Sequence, residues 1–496
     1  MDYKKLQNGS DIRGVALEGI EGQNVNLTEA VCKDIGRGFA LWLKEKISKT
    51  DLRVAVGRDS RLSGPALCGW ICQAMVEQGI VVTDFGMAST PAMFMATVTE
   101  GYKFDGTVMI TASHLPFNRN GFKFFTKNGG LEKEDIKQIL NYAESDQTTG
   151  LACGTLISGA FMDIYAKILA DKIRSATGSE KPLEGMRIVV DAGNGAGGFY
   201  ADKVLKPLGA NTEGSRYLDP DGSFPNHIPN PEDKDAMASI TEAVKQTSAD
   251  FGIIFDTDVD RAGAVLSDGS ELNRNRIIAM LSAILLREHP GTTIVTDSIT
   301  STGLAKFIEE KGGIHHRFKR GYRNVINESI RLNNQGQDSQ LAIETSGHGA
   351  LKENYFLDDG AYLVTKLLIE LARGKKEGYT LESLIASLEE PAESLEFRMN
   401  ILLDDFKEYG QTVIAELTQY AEKQSGWSLA PSNYEGVRVN IGSGWFLLRL
   451  SLHDPLLPLN IESNEIGGAK KIAKELATFI RNYDKLDAAK LLSFAE

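Results

Sequence analysis

Three short segments carry residues whose types and spacing suit chemistry. In the first, Gly106-Thr107-Val108-Met109-Ile110 runs into Thr111-Ala112-Ser113-His114. A serine delivered at the end of an apolar strand can be an exposed nucleophile or a carrier of phosphate. A Ser-His pair alone reads as a structural turn. The nearby Asn120-Gly121-Phe122-Lys123 adds a tight turn and an amine able to return toward that serine. In the second segment, Phe251 to Phe255 ends in Asp256, Asp258 and Asp260, with Arg261 next. Alternate residues of an extended loop share one side, so three carboxylates can converge on a hard cation. A calcium-binding EF-hand loop is excluded, because Arg261 stands where it needs glycine and Ser267 where it needs glutamate. Few protein ligands and an open position suit Mg²⁺ shared with a phosphate; a solvated acidic turn is the alternative. In the third, Ile343-Glu344-Thr345-Ser346-Gly347-His348-Gly349, a carboxylate and a hydroxyl two residues apart could grip adjacent sugar hydroxyls. A capping turn accounts for that segment equally well.

The elements that must position these residues share one rhythm of short apolar strand, polar or glycine-containing turn, and helix. It appears at Leu52 to Val56, at Arg187 to Val190 and at Thr292 to Val295. Such units imply α/β layers with functional loops at strand ends. Their spacing predicts separate domains and not a short repeat. A helix is predicted over Gly159 to Arg174, a solvated linker over Arg373 to Gly378, and a further helical run over Leu381 to Leu388. Beyond these come an alternating strand at Leu395 to Met399, a strand pair around Val437 to Leu450 and helices near Glu465 to Tyr483. The predicted architecture is three tandem α/β domains, mixed sheets between helices, plus a smaller α+β C-terminal domain, around a central cleft. The limits are placed at 1–155, 156–262, 263–375 and 376–496.

Composition narrows the function classes. A chain of 496 residues is too long for one ordinary domain. With 42% hydrophobic and 24% charged residues it is neither disordered nor fibrous. A net charge of −13 argues against nucleic acid or an anionic membrane as partner. Anionic small molecules remain possible where Arg and Lys converge. The opening Met1 to Gly14 has no apolar run, so no signal or transit peptide is read, and a cytoplasmic location is expected. No apolar stretch is long enough to span a bilayer. Cys32, Cys68, Cys72 and Cys153 form no metal-type spacing and are expected to be buried thiols.

In this order and spacing the segments resemble the α-D-phosphohexomutase superfamily over almost the whole chain. The family's phosphoserine loop TASHNP corresponds to Thr111-Ala112-Ser113-His114-Leu115-Pro116, and its NGxK to Asn120-Gly121-Phe122-Lys123. Its metal loop DGDxDR corresponds to Asp256 to Arg261, and its sugar loop GExSGH to Ile343 to His348. Gly9-Ser10-Asp11-Ile12-Arg13-Gly14 matches an N-terminal motif, and VGRDxRxSG stands intact at Val56 to Gly64. The resemblance implies that Ser113 carries a phosphoryl group and exchanges it with a hydroxyl of a phosphorylated hexose through a hexose 1,6-bisphosphate. It implies Mg²⁺ held by Asp256, Asp258, Asp260 and an oxygen on Ser113, with Arg13 and Arg261 compensating charge. Lys123 is then a candidate to move the hydroxyl proton, and His114 and His348 are further candidates. Glu344, Ser346 and His348 would contact the sugar. Lys319, in Phe318-Lys319-Arg320-Gly321-Tyr322, would lie near the substrate phosphate, as would Arg449 and Ser451.

The pattern breaks in the family's C-terminal phosphate loop, RxSGTEPKxRxYxE. Arg449, Ser451, Pro455 and Glu462 keep register, but Leu452-His453 replaces Gly-Thr, and Leu456 and Pro458 replace Lys and Arg. Leu115 also replaces an asparagine beside the nucleophile. Weaker grip on the second phosphate would let the bisphosphate escape. The resemblance implies first a glucose or mannose phosphate mutase with the 1,6-bisphosphate as activator. The alternative is a glucose-1,6-bisphosphate synthase that releases it and uses a donor such as fructose 1,6-bisphosphate. A phosphoglucosamine mutase, a phosphatase and a non-catalytic sugar-phosphate sensor are further readings. The preferred hexose and the oligomeric state are not legible.

Overall fold

The computed structural model describes residues 2–49, 51–145, 154–451 and 454–496. The chain divides into two compact units, one of Met1–Ile277 with Ser346–Ser383 and one of Ile278–Thr345 with Leu384–Glu496. Each is described by itself.

In the first unit the N-terminal sheet runs in the order Gln7–Asn8, Asp11–Val15, Arg119–Thr126, Gly106–Ile110, Arg53–Arg58, Val81–Met87, Thr155–Ser158. Arg53–Arg58 is parallel to both its neighbours, whereas Arg119–Thr126 is antiparallel to Gly106–Ile110. The sheet is mixed, as the strand-turn-helix rhythm implies. Central strands of this kind are covered on both faces, so they read as continuous apolar runs. All five residues of Gly106–Ile110 are buried. Phe39, Leu43, Val54, Val56, Val108 and Ile110 share one core with the helices Glu29–Lys46, Gly64–Glu77 and Lys133–Glu144. Arg58 pairs with Ile110, so the loops leaving these two strands emerge side by side.

A second sheet orders Glu271–Leu272, Ala262–Leu266, Phe251–Phe255 and Ile188–Asp191. Phe251–Phe255 is fully buried and delivers Asp256 at its end. The predicted helix at Gly159 to Arg174 forms as Met162–Thr177. The predicted linker at Arg373 to Gly378 does not exist. Those residues are the last turn of the helix Gly360–Glu377, which Gly378 ends in the left-handed region at φ 81°. Lys and Glu in a final helical turn resemble a solvated linker because that turn is exposed on every side but one.

In the second unit Thr293–Thr296 lies between Ile314–Arg317 and Ser339–Ile343, all parallel. A separate antiparallel sheet orders Trp427–Leu429, Val437–Ile441, Gly444–Leu448, Leu456–Ser463, Glu393–Ile401 and Leu486–Asp487. The helices Phe406–Ala421 and Gly468–Ile480 share its core. Glu393–Ile401 alternates in burial, as a sheet covered on one face requires. The helical run foreseen over Leu381 to Leu388, which starts within the first unit, is shorter, at Leu381–Leu384. Three α/β layers and a sheet-rich α+β C-terminal part match the expected class.

Cys32, Cys68 and Cys72 are buried free thiols, and Cys153 lies outside the described residues. Among the described residues no helix is long and apolar enough to cross a membrane.

Candidate active site

Ser113 sits just beyond Gly106–Ile110, buried, with φ 51°. Its hydroxyl donates to Asp256 Oδ2 at 2.9 Å and accepts from Arg261 Nη2 at 2.9 Å. The serine loop and the metal loop, 143 residues apart in sequence, therefore meet at one oxygen. Lys123 returns on the antiparallel strand Arg119–Thr126 and ion-pairs with Asp260, with Asp258 Oδ2 at 3.4 Å. Gly121 makes that strand's approach possible. A Cβ there would stand 2.1 Å from the carbonyl oxygen of Ile12 on the adjacent strand Asp11–Val15.

The three aspartates converge as expected, but not through extended backbone. Residues 256–260 form a turn in which Val259 takes φ 69°, a left-handed conformation unfavourable for a β-branched side chain. One carboxylate oxygen from each lies within 4.8 Å of the other two, and all three residues are buried. Burial, reinforced by Asp260 and Asp258, pushes the Asp256 carboxyl well above the ordinary range. Burial opposes ionisation of Asp260, but Lys123, His348 and Arg261 outweigh it and draw that carboxyl down. Asp258 Oδ1 and Asp260 Oδ1 are buried without a hydrogen-bond partner. Three buried carboxylates against Lys123 and Arg261, with two open oxygens, fit a hard divalent cation such as Mg²⁺.

The remaining expected residues divide by contact. Arg13 donates to the Thr111 carbonyl at 2.7 Å and to Asp11 Oδ2 at 2.9 Å, bracing the serine loop. His114 Nδ1 accepts from Arg261 Nη2 at 2.6 Å. Burial and the Arg261 charge lower its pKa to about 2, so the ring is a neutral acceptor. His348 behaves oppositely. Its Nδ1 donates to Asp358 Oδ2 at 2.6 Å, and Asp260 Oδ1 lies 3.9 Å from the same nitrogen. Burial works against the imidazolium, but Asp358 outweighs it and raises the pKa. Asp358 also accepts from Gly349 N at 2.9 Å, which fixes its carboxylate. Ser346 Oγ is buried without a hydrogen-bond partner.

Sequence reasoning missed Asp358, Thr90 and Arg61. Thr90 bonds Asp258 through its side chain, and its N–H donates to the Asp258 carbonyl at 2.8 Å. Its only signal was a Ser-Thr-Pro helix start, which Ser89 caps. Asp358 and Arg61 carried hints, an acidic pair before a helix and the second arginine of VGRDSRLSG.

In the second unit, Glu344 Oε1 accepts from Gly321 N at 2.6 Å, and Thr345 Oγ1 donates to Asp297 Oδ2 at 2.8 Å. Arg320 N donates to Glu435 Oε1 at 2.9 Å. Lys319 Nζ stands 5.9 Å from the Phe318 ring. Burial and then the neighbouring Arg320 charge lower the Arg449 pKa, and Arg449 Nε is buried without a hydrogen-bond partner. Ser451 Oγ accepts from Asp454 N at 3.2 Å, closing a turn. Leu456 and Pro458, in place of the family's Lys and Arg, lie in the strand Leu456–Ser463, with Pro458 buried. Leu452 and His453 lie outside the described residues.

Known proteins resemble this chain over almost its whole length. The α/β/α domain models I, II and III of phosphoglucomutase/phosphomannomutase match residues 4–149, 163–269 and 273–391. The chain is 32% identical to a phosphoglucomutase of Neisseria gonorrhoeae over 473 residues, covering 94% of this chain and 95% of that one. It is 30% identical to a phosphomannomutase/phosphoglucomutase of Pseudomonas putida, covering 93% and 94%. A crystal structure of a phosphoglucomutase/phosphomannomutase family protein from Burkholderia thailandensis superposes with a TM-score of 0.80 at 28% identity, covering 97% and 98%. Fold and site define an α-D-phosphohexomutase, a superfamily of enzymes. Within it, the chain belongs to the phosphoglucomutase/phosphomannomutase family.

Proposed function

We propose that this protein interconverts hexose 1-phosphate and hexose 6-phosphate, of glucose, mannose or both, through a phosphoserine at Ser113 and a hexose 1,6-bisphosphate. One observation carries the reading: the Ser113 hydroxyl lies between Asp256 and Arg261 at the edge of three converging carboxylates. Phosphoryl transfer is mostly positioning and electrostatics, and these are the parts it needs. Asp256, Asp258, Asp260 and an oxygen on Ser113 would hold Mg²⁺, which when bound offsets negative charge on a transferring phosphoryl group.

The chain's own residues supply the rest. Arg261 donates to the Ser113 oxygen and so favours negative charge there. Lys123, paired with Asp258 and Asp260, is an electrostatic partner of the carboxylates. His348 is better suited than His114 to take the hydroxyl proton from the sugar, because Asp358 stabilises the imidazolium that forms. Arg449, Arg320 and Lys319 are the cations for the non-transferring phosphate, and Glu344 and Ser346 the groups for sugar hydroxyls. The division at 1–155, 156–262, 263–375 and 376–496 assigns one of these loops to each domain.

A second reading, release of glucose 1,6-bisphosphate with fructose 1,6-bisphosphate as donor, is favoured by the C-terminal strand. Leucine and a buried proline stand where the family has cations to grip phosphate. Incubation with glucose 1-phosphate and Mg²⁺, with and without fructose 1,6-bisphosphate, separates the two. Rapid formation of glucose 6-phosphate with only trace bisphosphate supports the mutase. Stoichiometric bisphosphate in its place overturns that reading.

A further inference from the structure

Against the backbone of the Ser113 loop lies another arginine, which contacts none of the three aspartates and none of the candidate sugar-binding groups. The Arg61 side chain is wholly buried. Its Nη1 donates to the carbonyls of Pro116 at 2.8 Å and Arg119 at 3.0 Å; its Nη2 donates to those of Leu115 at 2.7 Å and Ser113. Four carbonyls from one turn thus aim at a single guanidinium. The Ser113 contact is buried and the other three partly so, and four converging carbonyl oxygens would repel one another without the cation between them. Only a planar fork with donors in fixed directions meets four acceptors at once; an ammonium is a point charge with three.

The arrangement bears directly on the nucleophile. Ser113 adopts φ 51°, sparsely populated for residues other than glycine, and such a conformation persists only where its surroundings over-determine it. Ser113 N donates to Thr111 Oγ1 at 2.8 Å on one side, and Arg61 holds the Ser113 carbonyl on the other. Arg61 is itself gripped from behind. Asp59 Oδ1 accepts from Arg61 N at 3.0 Å, and Asp59 Oδ2 lies 3.5 Å from Nε. The Phe224 ring centre is 5.2 Å from the guanidinium carbon. Gly222 lies so close that a Cβ would stand 2.4 Å from Leu62 N and from the Ser60 carbonyl oxygen.

We propose that Arg61 is a positioning residue for phosphoryl transfer: its guanidinium shapes the backbone that aims Ser113, and the 222–224 segment clamps it there. This rests on Ser113 being the phosphoryl carrier, so the experiment separates the two. Full-length wild type, Arg61→Lys, Arg61→Ala and Phe224→Ala are incubated with glucose 1,6-bisphosphate and weighed intact. Turnover with glucose 1-phosphate is then measured per phosphorylated serine, alongside thermal melting. One phosphate on wild type, lost in Ser113→Ala, supports the carrier reading; no phosphate overturns that reading and this proposal with it. Given phosphorylation, Arg61→Lys is expected to lose about 100-fold in kcat, the scale of a small misplacement of reacting groups, with KM little changed. Phe224→Ala is expected to lose about 3- to 10-fold. Free guanidinium, but not methylammonium, should restore part of the Arg61→Ala rate. Wild-type turnover per phosphorylated serine in Arg61→Lys and Phe224→Ala, whatever their melting temperatures, overturns the proposal and leaves the phosphoserine reading standing.

Discussion

The proposed nucleophile region of the first unit and the proposed phosphate region of the second are built to different standards. Around Ser113 the side chains are tied together, although Asp258 Oδ1 and Asp260 Oδ1 are left open: Arg261 engages Ser113, His114 and Asp256, and Asp358 engages both His348 and Gly349. Around Arg449 the fixed contacts are fewer. Its Nε has no hydrogen-bond partner, Ser451 closes a local turn, and hydrophobic residues occupy neighbouring strand positions. Moving a phosphoryl group demands reacting atoms held to a fraction of an ångström, whereas holding a distal phosphate demands mainly charge. The second region can therefore diverge while the first stays complete.

Substitutions in the two regions should separate kcat from KM. Ser113→Ala has the largest expected effect, loss of turnover to background; near-normal activity would break the comparison outright. Asp258→Asn, or metal removal by EDTA with restoration by Mg²⁺, should lower kcat at least about 100-fold. Asp358→Asn should lower kcat about 10- to 100-fold by loosening His348 and destabilising its imidazolium, with KM nearly constant. Arg449→Ala should do the reverse, raising KM about 10- to 100-fold through one lost charge-assisted contact. A kcat defect without a KM change there would place Arg449 outside phosphate recognition.

The smallest effect concerns stability in the second unit. Asp297 is buried with Oδ1 lacking a hydrogen-bond partner, and burial, aided by Glu344 and Glu435 against the pull of Arg320, raises its pKa to about 7. Its folded pKa exceeds its unfolded value, so the stability belonging to the neutral form is complete below about pH 4 and lost as pH rises through 7. Asp297→Asn should thus raise the melting temperature at pH 8 and leave it unchanged near pH 4. The gain is at most about 4 kcal/mol. Equal shifts at both pH values would show that Asp297 is held ionised.

Strand-forming runs such as Phe251–Phe255 and Gly106–Ile110 were legible, because strands buried on both faces leave few polar positions to blur the pattern. The end of the helix Gly360–Glu377 was not, since an exposed last turn has the composition of a linker. Strand Leu456–Ser463 was obscured by Pro458, a residue rare inside strands because it cannot donate to the ladder.

The sequence by itself determined which groups could do chemistry: a serine at a strand end, three aspartates in one loop, and the overlap of both with a known superfamily. Tertiary structure alone gives the candidate bases different surroundings. His114 accepts from Arg261, Lys123 lies against carboxylates, and His348 is backed by Asp358. It also revealed Arg61, 52 residues from the serine whose carbonyl it holds. The reason is physical: a side chain's protonation and aim depend on charges and carbonyls brought within a few ångströms by folding, and sequence spacing does not carry that distance.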